Sequence, residues 1–253
     1  MLTAENYFDR ENQEKYFSVS QFKAFEKCEA AAMAEIRGEY EPEKTVSMLV
    51  GSYVDAHFEG TLDIFRAKNP DIFTIKGELR SNFKQAEDII QRLERDELFM
   101  EYMSGQSQVI MTGELFGYPW KIKMDSYHPG KMIVDMKIVK DFQPMWVEGE
   151  GKIPFIEAWG YDLQGAAYQA IEKNGLPFYI AAATKEKVTD LEIFNIPQEN
   201  MDIALKIVEA KIDRFADIKA GLIEPIRCGH CDYCKQAKKL SEPVPYTEVY
   251  RYE

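Results

Sequence analysis

Apolar positions fall into two alternating rhythms along this chain, and their order predicts a sheet wrapped by helices. From Ser18 to Cys28 apolar residues recur at helical spacing behind serines able to serve as N-cap. Val46 to Phe65 reads as a second helix, capped by Thr45 and facing inward through Leu49, Tyr53, Ala56, Phe58 and Leu62. Asn82 to Met103 forms a third, with its charges on one side. The period then shortens to that of strands at 108–115, 119–126 and 131–139, the last two joined by the turn His128-Pro129-Gly130. A helix over 156–173, strands at 178–184 and 191–196, and a long helix over 200–220 that stops at Gly221 complete the pattern. Helices, a meander, a crossover helix and returning strands predict an α/β (α+β) fold with a central mixed sheet flanked by helices.

Composition adds bounds. A chain of 253 residues, 45% hydrophobic and 29% charged, is expected to form one domain over 1–253: a helical part at 1–107, a sheet core at 108–197, and a long helix with a cysteine-containing tail at 198–253. No apolar run approaches the roughly 20 residues of a membrane span. The first residues are acidic and polar, unlike a secretory leader, so a cytoplasmic location is expected. A net charge of -12 argues against indiscriminate coating of nucleic acid, though not against a local basic groove. The absence of G-x-x-x-x-G-K-[ST] excludes a self-contained helicase.

One strand breaks the apolar pattern. Met132-Ile133-Val134-Asp135-Met136-Lys137-Ile138-Val139 carries an acid and a lysine two apart, hence on one face. Burying two charges is costly unless they are paired or hold a metal. Acid-x-Lys also occurs at Glu150, Glu209 and Asp217, but those copies fall in a glycine-flanked loop or on the long helix. Only the Asp135 copy lies in an apolar strand that follows a strand ending in Asp125. A buried ion pair is one account. The other is metal-dependent phosphodiester cleavage: Asp125 and Asp135 offer hard oxygens to Mg²⁺ or Mn²⁺, the Met136 carbonyl completes the shell, and Lys137 orients water or stabilises developing charge.

Further residues support the second account. Gln164 and Tyr168 stand four apart on one helical face, and His57 is a lone histidine on an apolar helix after Gly51. The order His57, Glu114, Asp125, Asp135-x-Lys137, Gln164-x-x-x-Tyr168 resembles the PD-(D/E)xK nuclease superfamily, in particular its RecB-type branch, with Met124 where the eponymous proline stands. That resemblance implies a restriction-endonuclease-like core, His57 and Glu114 beside the metal, and Gln164 and Tyr168 on the DNA backbone. Over about 18–240 the chain most resembles phage and prophage exonuclease VIII (RecE-like) proteins. This implies digestion of one strand from duplex ends and delivery of the other to a single-strand-annealing recombinase, with an oligomer as one option. A site-specific endonuclease and a non-catalytic nucleic-acid-binding protein are the alternatives. Candidate basic residues for the DNA path are Lys121, Lys123, Lys131, Lys140, Lys185 and Lys187.

Four cysteines remain: Cys28, then Cys228, Cys231 and Cys234 in C-x₂-C-x₂-C. The compact run matches those around [4Fe–4S] clusters, while His230 keeps a mixed-ligand Zn²⁺ site open. One early and three late cysteines, with Ser18, Ser20 and Phe25 before the first, resemble the iron–sulfur staple of the AddB subunit and of CRISPR-adaptation exonucleases. The role implied is structural: tying the first helix to the tail.

Overall fold

A computed structural model describes residues 2–240 together with 242, 243 and 245. Among them the helices are α1 (Arg10–Lys15), α2 (Val19–Lys27), α3 (Glu29–Ile36), α4 (Val46–Phe58), α5 (Leu62–Lys68), α6 (Ser81–Glu94) and α7 (Glu97–Met103). Strands β1 (Gln106–Leu115), β2 (Tyr118–His128) and β3 (Met132–Val139) follow, then a small hairpin of β4 (Met145–Val147) and β5 (Gly151–Ile153). Helices α8 (Phe155–Ala158) and α9 (Tyr161–Glu172) lead into β6 (Phe178–Thr184) and β7 (Leu191–Asn195), and α10 (Gln198–Lys219) and α11 (Asp232–Gln236) close the chain. No helix among the described residues is long and apolar enough to cross a membrane.

The five long strands form one sheet in the order β1-β2-β3-β6-β7, antiparallel throughout except for the parallel pair β3/β6. This is the predicted mixed sheet, sandwiched between two helical layers. Strand alternation decides which residue enters which layer. Ile133 and Val139 of β3 and Ile180 and Ala182 of β6 pack with α2, α3, α9 and α10; Val134, Met136, Ala181 and Ala183 pack with α4, α6 and α7. Asp135 and Lys137 therefore point into the layer that contains α9.

Two long predicted helices are each broken, for legible reasons. The stretch 46–65 ends at Phe58 because Gly60 takes a left-handed φ of 72°, and the chain restarts at Leu62. The stretch 82–103 breaks before Glu97, where the Asp96 carboxylate accepts from the Phe99 amide at 3.0 Å as a new N-cap. Likewise Gly160, at φ 60°, separates α8 from α9.

The feature that builds the site is a failure of pairing. β2 and β3 are matched only from His128↔Met132 to Ser126↔Val134, next to their turn. Beyond that they diverge. Phe17 takes up part of the vacated edge of β2: its amide bonds Pro119 O at 2.8 Å, and its carbonyl accepts from the Lys121 amide at 2.8 Å. Helix α2 begins immediately afterwards, so its first turn is delivered to the gap between the splayed strands.

Candidate active site

Where β2 and β3 part, side chains replace the missing ladder. Asp125 Oδ2 accepts the Met136 amide at 2.9 Å, and Oδ1 accepts Gln108 Nε2 at 3.2 Å. Gln108 itself has φ 55°, and the Gln108–Asp125 position drops out of the β1/β2 register. This local irregularity aims Asp125 across the gap. Asp135, 2% exposed, receives Lys137 Nζ on Oδ2 and Gln164 Nε2 on Oδ1. Gln164 also donates to Tyr168 OH at 3.0 Å, and that hydroxyl donates to Lys123 O at 2.8 Å. The i,i+4 pair on α9 is thus buried machinery that fixes Asp135 and β2. The same two side chains also line a cleft beside β3.

Burial raises the Asp135 carboxyl to about 7, helped by the charge of Asp125 and opposed by Lys137. Burial works against the Lys137 ammonium too, but Asp135 and Asp125 outweigh it and hold its pKa above the ordinary value. A third carboxylate joins them. Asp55 on α4 is pushed up to about 8 by burial and by Asp125 and Asp135, again opposed by Lys137. Sequence reasoning missed it: on that helix the eye goes to the lone histidine. Two residues along an α-helix turn it by about 200°, so Asp55 and His57 face nearly opposite ways.

His57 accordingly does not reach the carboxylates. Its Nε2 lies 2.8 Å from Glu94 Oε1, tying α4 to α6. Glu114 is not brought in either: it is exposed opposite Pro119, six residues along β1 from Gln108, or about 20 Å at strand rise. The basic residues do not form one channel. Lys121 is buried against Tyr7 O, Lys123 faces Glu59 at 3.5 Å, Lys140 pairs with Asp141 at 3.4 Å, Lys185 donates to Ser47 Oγ at 2.6 Å, Lys131 sits by the hairpin turn, and Lys187 is exposed.

Two clefts flank this part of β3. Met136 lines one, of about 20 Å³, with Asp55, Glu59, Gln108 and Asp125 among its walls. That volume suits one water or one ion. Gln108 Oε1 is buried beside Asp125 without a hydrogen-bond partner among the described residues. Asp55 with its raised pKa, the Asp125 carboxylate, a spare amide oxygen and a one-ion cleft fit a hard divalent cation. Asp135 does not line that cleft, and the three carboxylates are not drawn together as closely as the four cysteine sulfurs. The other cleft, of about 230 Å³, is lined by Lys137, Gln164 and Tyr168 and by residues of α2.

The cysteines converge as the sequence implied. The four sulfurs lie within 4.8 Å of one another, Cys28 to Cys234 at 3.6 Å and Cys228 to Cys234 at 3.9 Å, and none is disulfide-bonded. Despite burial, hydrogen bonds from the Cys231 and His230 backbone and the neighbouring thiols lower the Cys228 thiol to about 6. Burial and the neighbouring sulfurs raise Cys231 to about 12. His230 is exposed and turned to Cys228 O at 3.0 Å, so the donor set is four sulfurs.

No curated protein matches the chain. A crystal structure named "Putative exonuclease", from Eubacterium rectale, superposes at a TM-score of 0.96 with 48% identity, covering 99% of this chain and 98% of that one. A second structure, SSO0001, aligns only loosely, at a TM-score of 0.33 and 14% identity over 85% of this chain and 92% of that one. Residues 18–237, which hold the carboxylates, Lys137, α9 and all four cysteines, match the model of a family described as a PDDEXK-like domain of unknown function, DUF3799, and the chain belongs to that family.

Proposed function

We propose that this protein is a divalent-cation-dependent deoxyribonuclease that degrades duplex DNA from its ends. The observation that carries the reading is the convergence of Asp125, Asp135 and Lys137 where β2 and β3 part, with Asp55 closing the set from α4. The similarity to a protein named as an exonuclease supports the end-directed mode.

Asp55, Asp125 and Asp135 are the residues that would hold Mg²⁺ or Mn²⁺. Such an ion supplies positive charge against the phosphate and polarises water. The chain's own groups do the rest. Lys137, kept charged by its carboxylate neighbours, places a cation where negative charge develops. Gln164 fixes the rotamer of Asp135, and Tyr168 fixes Gln164 and the carbonyl of Lys123. The sulfur separations support one tetrahedral ion in place of the [4Fe–4S] cluster that the cysteine run resembles: metal–sulfur bonds of about 2.3 Å set sulfurs roughly 3.8 Å apart.

The test is digestion of linear duplex labelled at either end, beside covalently closed circles, with Mg²⁺ or Mn²⁺. Loss confined to linear DNA, reduced at least about 10²-fold in Asp135→Asn and Lys137→Met, is the expected result. Cleavage of closed circles would replace the exonuclease by an endonuclease. Failure to cleave any DNA would overturn the proposal.

A further inference from the structure

The larger cleft beside β3 has a composition at odds with the rest of the molecule. In a chain of net charge -12 its walls are Tyr7, Ser18, Val19, Ser20, Lys23, Lys121, Lys137, Gln164 and Tyr168: three lysines, two serines and no acid. Lys137 is neutralised by Asp135, but no ion pair among the described residues involves Lys23 or Lys121. Lys121 is buried with its ammonium on Tyr7 O, and serves to hold the N-terminal segment. Lys23 is different. It is half-buried, donates to Trp159 O at 2.9 Å, and stands 5.7 Å from the ring of Tyr161, the ring that Lys137 approaches to 5.4 Å from its own side. Two ammonium groups thus approach one ring; Lys137 is paired directly with Asp135, whereas Lys23 has no ion pair among the described residues and feels Asp135 and Asp162 only at longer range.

We propose that Lys23, with Ser20 one turn behind it on the same face of α2, grips a phosphate of the bound strand adjacent to the one attacked. This rests on the nuclease reading above and adds a binding residue to it. The cost of leaving Lys23 as it stands shows in its acidity: burial, then repulsion by Lys137, lowers it to about 8. An anion in the cleft removes that cost. The volume, about 230 Å³ against roughly 30 Å³ per water, admits a phosphate with part of its sugar. The Ser20 hydroxyl is exposed at the start of α2, where the first helical amides also favour an anion.

The experiment compares wild type, Lys23→Met, Lys23→Arg and Ser20→Glu on linear duplex, reading KM and kcat separately. It also measures duplex affinity against NaCl concentration, with Lys137→Met added to each protein so that binding is read without cleavage. Lys23→Met is expected to raise KM roughly tenfold with kcat within twofold, and to reduce the salt slope of binding by about one. Lys23→Arg restores both. Ser20→Glu raises KM without touching the Trp159 contact, which separates charge from folding. If Lys23→Met leaves KM and salt slope unchanged while wild type cleaves, Lys23 only ties α2 to Trp159: the inference falls and the nuclease reading stands. If Ser20→Glu is silent or Lys23→Arg fails to restore, the inference falls equally. If wild type binds duplex with the Lys23-dependent slope but never cleaves, the grip stands and the nuclease reading falls.

Discussion

Both oxygens of Asp135 are already occupied, one by Lys137 and one by Gln164, and so are both of Asp125, one by the Met136 amide and one by Gln108 Nε2. The acid with the least support is Asp55, raised to about 8 by burial first and then by Asp125 and Asp135. This distinguishes it sharply from His57 on the same helix. Asp55→Asn is expected to reduce cleavage of linear DNA by roughly 10²-fold or more while Tm at neutral pH stays the same or rises, because a carboxyl whose pKa is raised in the fold destabilises it above the unfolded pKa yet is useful to a cation. His57→Ala should retain cleavage within about threefold and cost at most about 1 kcal/mol, the worth of a partly exposed pair with Glu94. Parallel kinetics and thermal melts on the two proteins decide it; the opposite pattern would return His57 to the site. At this scale Asp125, Asp135 and Lys137 were legible, because charges in an apolar strand need a reason. Asp55 was not, because an acid on a part-exposed helix is ordinary until the turn of the helix is known. The pairing of Gln164 with Asp135 was also hidden: i,i+4 spacing shows that two residues share a face, not what that face meets.

Element packing carries the same site at one remove. Helix α9 lies so close to β6 that a Cβ on Gly165 would stand 2.5 Å from the Phe178 ring and 2.9 Å from Met201 Sδ. Gly165 adjoins Gln164, so the close approach is what lets that amide reach Asp135 on the neighbouring strand β3. Gly165→Ala is therefore expected to cost about 1–3 kcal/mol and to lower kcat along with stability. Gly51 on α4 is the control: a Cβ there meets nothing within 4 Å and its φ is ordinary, so Gly51→Ala should stabilise by roughly 0.5–1 kcal/mol through helix propensity alone. Chemical denaturation of both reads the contrast, and two substitutions of the same sign would refute it. The strands and the long α10 followed from periodicity because each buries one face in a single layer. The breaks at Gly60, Asp96 and Gly160 were local signals overridden by the apolar rhythm around them. The β4/β5 hairpin, only three residues a side, is too short to impose a period at all.

For the molecule as a whole, the longest-range constraint is the one the sequence announced most plainly. Cys28 sits at the junction of α2 and α3, and its three partners arrive 200 residues later on the segment after α10. Around the sulfurs the same closure is repeated in polar form: Arg214 holds Glu29 at 2.6 and 2.8 Å, Glu29 accepts the Ile226 amide at 2.7 Å, and the Ala30 amide returns to Ile226 O at 3.1 Å. What spacing left open was the kind of metal, since C-x₂-C-x₂-C suits a cluster and a single ion alike, and only the separations of the sulfurs speak to it. Because α2 also carries Ser20 and Lys23 into the gap between β2 and β3, loosening the sulfur site should be felt 200 residues away in sequence but next door in space. Stripping the bound metal with a thiol-competing chelator, or replacing Cys28 by Ser, is expected to lower Tm by several degrees and to raise KM for linear DNA, and added Mg²⁺ should not reverse it. Elemental analysis of the purified chain should return one ion per molecule; about four irons with matching sulfide would instead show that the thiols open to hold a cluster. An unchanged Tm in Cys28→Ser would mean that the Glu29–Arg214–Ile226 contacts close the molecule without help from the metal.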